Sequence, residues 1–105
     1  MASQHIAPVK KEVLISDRAV KAFERIVLSL QGQSLIGAEK VKDEILARIR
    51  KLGDHPKPAS ARKAKFDAVE GEFWSVLKQN HRIYYLIEEK RVVVVDIILD
   101  VETIA

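Results

Sequence analysis

Residues 78–100 read KQNHRIYYLIEEKRVVVVDIILD. Two runs rich in β-branched and aromatic residues, RIYYLIE and VVVVDIIL, are separated by the charged stretch Glu88 to Arg91, and Gln79 to His81 make a shorter break before them. Runs of this composition bounded by polar breaks read as antiparallel strands joined by hairpin turns. Just upstream, FWSVLK at 73–78 has the same character, so the C-terminal third predicts a three-stranded antiparallel meander. In the last run Val93, Val95, Ile97 and Leu99 alternate with Val92, Val94, Asp96 and Ile98, and apolar residues on both sides predict a central or helix-covered strand. A single cation, Arg82, stands at the head of the middle strand and is not explained by strand pattern alone.

Working outward, the N-terminal half changes period. EVLIS at 12–16 predicts a short strand, with Ser16 or Asp17 placed to cap the helix that follows. Ala19, Val20, Phe23, Ile26, Val27 and Leu30 recur at steps of three and four, which is one buried helical face ending at Gly32. A second such face runs from about Ala38 to Leu52 through Val41, Ile45, Leu46 and Ile49, with Gly53 as a stop. The short link between the two predicts an antiparallel helical hairpin. DHPKPASARKAK at 54–65 reads as a connecting loop, because prolines and small polar residues oppose regular structure. The predicted fold is α+β: an N-terminal strand, a helical hairpin, then a three-stranded meander with helices available to cover one face.

Bulk properties narrow the class. The chain has 105 residues, 48% apolar and 31% charged, which predicts one globular domain over 12–105 behind a flexible tail at 1–11. Its start lacks the apolar core of a secretory signal, no apolar run is long enough to span a membrane, and there is no cysteine, so a cytoplasmic protein is expected. His5, His55 and His81 are too scattered for a metal site, and no cofactor is expected. The formal charge is only +3, but residues 51–65 carry Lys51, Lys57, Arg62, Lys63 and Lys65 against Asp54 alone. Residues 88–105 are acidic by contrast, with Glu88, Glu89, Asp96, Asp100 and Glu102 against Lys90 and Arg91.

The element order, together with LARIRKLGDHP at 46–56, the meander GEFWSVLKQNHRIYYLIEEKRVVVVDIIL at 71–99 and above all HRIYYLI at 81–87, resembles the RelE/ParE superfamily of toxins from bacterial type II toxin–antitoxin systems. The resemblance covers roughly residues 12–100, and HRIYY follows that superfamily's pattern of tyrosine or histidine, arginine, two apolar positions and tyrosine. In its ribosome-dependent nucleases the strand arginine contacts RNA phosphate, which implies that role for Arg82. A planar guanidinium suits it, since it can clamp two phosphate oxygens and stabilise developing charge. The plainer reading is an arginine paired with Glu72, Asp96 or another carboxylate, or one that reaches solvent. Lys78 would supply a second cation, or be a solvated strand end. His81 would serve in acid–base chemistry, its ordinary pKa being ~6.5, or be a structural turn residue. Lys57, Arg62, Lys63 and Lys65 would attract RNA, a ribosome or an acidic antitoxin segment, or form a solvated loop. Trp74 and Tyr85 are candidate partner contacts, and Tyr84 and Tyr85 are expected on opposite faces of their strand.

The nuclease members complete their site with a basic residue and an aromatic or histidine side chain near the C-terminus. Here that stretch is LDVETIA, with Asp100 and Glu102 in place of positive charge. The resemblance therefore implies a growth-inhibiting toxin of ParE-like, non-nucleolytic kind, directed at DNA gyrase and neutralised by a cognate antitoxin. Two alternatives stay open at this point: an mRNA endonuclease acting on the ribosome through Arg82, Lys78 and a substitute base, and a non-toxic binding module of the same fold.

Overall fold

A computed structural model of the chain describes residues 10–66 and 68–100. Its elements are β1 (Glu12–Ile15), α1 (Asp17–Gln31), α2 (Leu35–Lys51), β2 (Arg62–Phe66), β3 (Val69–Lys78), β4 (His81–Ile87) and β5 (Arg91–Leu99). The strands form one sheet in the order β1-β5-β4-β3-β2, in which β1 runs parallel to β5 and all other neighbours are antiparallel. The expected α+β class and element order hold, with one correction. Arg62–Phe66 is a strand and not the end of a loop, so the meander has four strands. RKAKF has weak strand propensity of its own, and pairing along β3 supplies what composition does not.

Both helices begin at serine caps. Ser16 Oγ accepts from the Ala19 N–H at 3.1 Å, while the Ser16 N–H donates to the Val94 carbonyl at 2.9 Å, so the first cap also fastens the helix start to β5. Ser34 Oγ accepts from the Gly37 N–H at 3.0 Å, which starts α2 earlier than the apolar stripe alone suggests. Gly32 ends α1 with a right-handed φ of −64°, so its position as a terminator holds without a left-handed cap. Ala19 and Ala22 on α1 and Ala38 on α2 are buried, and their small side chains allow close packing.

The helix-covered face of the sheet follows from register, because residues directly opposite each other share a face. Val76, Ile83 and Ile97 form one row, Tyr85 and Val94 another, Ile87 and Val92 a third. With Ile45 and Ile49 of α2 and Leu52 at its C-cap, these residues make the core, Ile87 packing against it from the margin. The strict alternation expected of β5 fails at one point. Tyr85 faces Val94 but Tyr84 faces Asp96, which leaves Val95 as an extra, bulged residue. Past the bulge Ile97 joins the core, and Asp96 lies with Arg82, Tyr84 and Ile98 on the face away from the helices, here the open face.

The β3–β4 turn is the two-residue Gln79–Asn80, both with positive φ (51° and 61°), the combination of a type I′ hairpin that matches strand twist. His81 is therefore the first residue of β4 and not part of the turn. Of the tail expected at 1–11, residues 1–9 lie outside the described residues, while the Lys11 N–H donates to the Gly53 carbonyl at 2.9 Å. No described helix is long and apolar enough to cross a membrane.

Candidate functional site

Arg82 projects from β4 onto the open face, opposite Leu77 of β3 and Ile98 of β5. Its Nε donates to Asp100 Oδ2 at 3.2 Å and its Nη1 to Ser75 Oγ at 3.3 Å. The two charged side chains are only 11% and 13% exposed, so this is a largely desolvated ion pair and not a free cation. It lies at the edge of a cavity of about 600 Å³ lined also by Arg62, Tyr84 and Ile98. The carboxylate thus holds the guanidinium edge that a phosphate would take.

The other two candidates for chemistry point elsewhere. Strand alternation turns His81 away from Arg82, and Lys78, directly opposite His81, shares its side of the sheet. Lys78 Nζ lies 3.7 Å from Glu44 Oε1 on α2, and Gln79 Nε2 donates to the same oxygen at 2.7 Å. These contacts, Gln79 first and then Lys78, hold the Glu44 carboxyl below its ordinary range against the opposing effect of burial. His81 is buried, and its Nδ1 sits 2.7 Å from the Gln79 carbonyl, an acceptor that requires the proton on Nδ1. It braces the turn. Arg82, Lys78 and His81 do not converge on one reacting atom.

The basic stretch divides in two. Arg62, Lys63 and Lys65 stand exposed on β2. Lys57, still in the loop, pairs with Glu72 and lies 5.4 Å over the Trp74 ring, whose Nε1 donates to Glu72 Oε2 at 3.2 Å. Lys57 and then Trp74 hold the Glu72 carboxyl below its ordinary range. Trp74 is half-buried against the core, and Tyr85 is wholly buried, its hydroxyl donating to the Pro56 carbonyl at 2.5 Å. Burial pushes Tyr85 up to about 12, with Arg48 opposing. The expectation that Tyr85 meets a partner is corrected: it faces α2 and the proline loop, with no surface to offer.

A family model for the ParE toxin of type II toxin–antitoxin systems, parDE, matches residues 13–100. The chain belongs to the ParE toxin family. Among solved structures it is similar to the chromosomal ParDE TA system from P. aeruginosa, with a TM-score of 0.65 and 12% identity over 86% of this chain and 96% of that one. It is also similar to the YoeB dimer from Staphylococcus aureus, with a TM-score of 0.54 and 14% identity over 85% and 95% of the two chains. For the RelBE2 toxin–antitoxin complex from Mycobacterium tuberculosis the TM-score is 0.53, with 12% identity over 87% and 99%. At these identities the structural likeness is one of fold, the RelE/ParE fold. Comparison with curated proteins finds no match.

In this ParE-family chain several site features escape sequence reading. Asp100 turns inward to Arg82, while Glu102 lies outside the described residues. Ser75 is buried beneath the guanidinium. At the other end of the open face Arg18 of α1 pairs with Asp96 at 3.1 Å and lies 4.7 Å over the Phe66 ring, which stacks on Phe73. This clasp joins α1, the β5 bulge and the β2–β3 hairpin. Only alternate spacing could have suggested Ser75, and nothing local marks Arg18.

Proposed function

We propose that this ParE-family chain is a growth-inhibiting toxin that acts on DNA gyrase without cleaving RNA and is neutralised by an antitoxin. One observation carries the reading: the three residues that would build a nuclease site are split between two faces of the sheet, and Arg82 is engaged by Asp100. Transesterification at phosphate needs a base, an acid and a cation around one phosphodiester. Here Lys78 is committed to Glu44 and His81 to a backbone carbonyl, so neither stands near the Arg82 guanidinium. Family membership supports the toxin role. The antitoxin follows by analogy from solved relatives described as toxin–antitoxin systems or complexes.

The test is induction in growing cells with separate readouts of supercoiling, protein synthesis and mRNA ends, followed by purified gyrase with the purified chain. Growth arrest with failed supercoiling and intact early translation is expected. Cut mRNA that becomes intact with Lys78→Ala would overturn the reading, as would unimpaired gyrase in the purified assay.

A further inference from the structure

We propose that the outer end of the α1–α2 hairpin is a self-association surface, through which two copies of this chain pair about a two-fold axis. Among the described residues the three most exposed large apolar side chains are Leu28 (67%), Leu35 (71%) and Ile36 (85%). They share one place in the fold. Leu28 is in the last turn of α1, and Leu35 and Ile36 open α2 directly after the short link at 32–34. Leu28 follows the buried Ala19 by about two and a half turns, so it points away from the sheet. Apolar side chains scattered singly over a surface are ordinary, but three adjoining ones expose roughly 400 Å² together, the size of patch that marks an interaction site.

The shape of this end complements itself. Beside the ridge of Leu35 and Ile36 runs a groove of about 500 Å³ between the helices, lined by Phe23, Val27 and Leu28 of α1 and by Lys42 of α2. Ile36 of one copy seats over Phe23, Val27 and Leu28 of the other, and the two-fold axis repeats the contact, which is the isologous geometry of most small dimers. Charge selects the same occupant. Around the patch Lys21, Lys40 and Lys42 stand against Glu24, Glu39 and Asp43, and Glu39 holds Lys42 at 3.3 Å. This balance offers no attraction to a nucleic acid, an anionic membrane or an acidic segment, and it spares a second copy the repulsion that a surface of one sign imposes. Paired in this way, two copies remove roughly 800 Å² of apolar surface from water, about half of a standard interface, so a reversible dimer dissociating at roughly tens of micromolar is expected. The contact lies on the helix side of the sheet and leaves the cavity beside Arg82 open in both copies.

The experiment is sedimentation velocity on the purified full chain from about 2 to about 500 μM. A reversible monomer–dimer equilibrium is expected. Leu28→Glu/Ile36→Glu should raise its dissociation constant at least about tenfold with unchanged circular dichroism, since both positions are exposed in the monomer and the change brings carboxylates together across the dimer. Val69→Glu, at an exposed apolar residue of the β2–β3 hairpin, should leave the equilibrium as it is. The chain has no cysteine, so mixing the Leu28→Cys and Ile36→Cys proteins with a short bis-maleimide reports the contact directly, and cross-links between positions 28 and 36 are expected. A monomer at every concentration would overturn the proposal, as would oligomers that keep growing beyond the dimer. A dimer that the double glutamate variant leaves intact, that Val69→Glu weakens equally, or that gives no cross-link between positions 28 and 36 would overturn it too, by placing the contact elsewhere. None of these readouts involves gyrase or growth, so the pairing surface and the toxin reading fail separately.

Discussion

Arg82 is a structural ion-pair partner in this chain, and that assignment has a measurable energy. Arg82→Ala removes the guanidinium that donates to the Asp100 carboxylate and the Ser75 hydroxyl. We expect a loss of about 2 kcal/mol, and the double variant Arg82→Ala/Asp100→Ala should recover part of it. Chemical denaturation of the four proteins checks this, and strictly additive losses would mean that the pair is not coupled. Tyr85 gives a second residue-scale test. Tyr85→Phe removes the hydroxyl that donates to Pro56 and should cost about 1 kcal/mol at neutral pH. The folded-state pKa of Tyr85 is raised from 10.0 to about 12, so the unfolded chain ionises first. Its contribution is complete below pH 10 and declines as pH rises towards 12. The stability gap between wild type and Tyr85→Phe should therefore narrow across that interval in denaturation series at stepped pH.

Among the elements, the β2–β3 hairpin depends on one glycine. Gly71 has φ +150°, and a Cβ there would come 2.7 Å from Leu86 Cδ1 and 3.1 Å from the Phe73 ring. Gly71→Ala should cost roughly 2 kcal/mol by combining backbone strain with a clash, read as a lowered denaturation midpoint, while an unchanged midpoint would show that the hairpin end yields freely. Legibility in the sequence also divides by element. The helices could be read because their apolar stripes and serine caps are local signals, and β3 to β5 because branched and aromatic residues concentrate there. β2 was hidden because RKAKF is a strand by virtue of β3, a long-range partner. The β5 bulge was hidden because four successive valines carry no alternation to interrupt. Arg82 could be singled out, and a carboxylate partner stood among its expected fates. That Asp100 is the partner depends on both the hairpin register and the bulge, which bring a residue 18 positions away to the guanidinium. The split of His81 from Arg82 was in principle legible, since period-two alternation places neighbours on opposite faces, whereas that of Lys78 needs the hairpin register as well.

At the scale of the whole molecule, charge pairs bind the elements to one another and keep the candidate cations apart. Glu44 ties α2 to the β3–β4 turn through Gln79 and Lys78, and Glu72 ties the proline loop to β3 through Lys57 and Trp74. Both carboxyls titrate below the ordinary 4.5 in the folded chain, because those partners favour the ionised form. Unfolding returns them to the ordinary value, so the unfolded chain takes up protons first as pH falls. The stability they contribute is whole above 4.5 and is lost as pH drops through their lowered folded values. Glu72 is exposed and Glu44 about one-third exposed, 41% and 34% respectively, so high salt should shrink the effect by screening. We expect Glu44→Gln and Glu72→Gln each to flatten the acid limb of the stability profile relative to wild type, most visibly at low ionic strength. Slopes that coincide with wild type would assign acid unfolding to other carboxylates. Protonating Glu44 releases Lys78, yet the register still holds it on the side away from Arg82. Acid conditions that leave the sheet intact should therefore loosen the turn without assembling a nuclease site, and RNA incubated with the chain across this pH range should stay uncut.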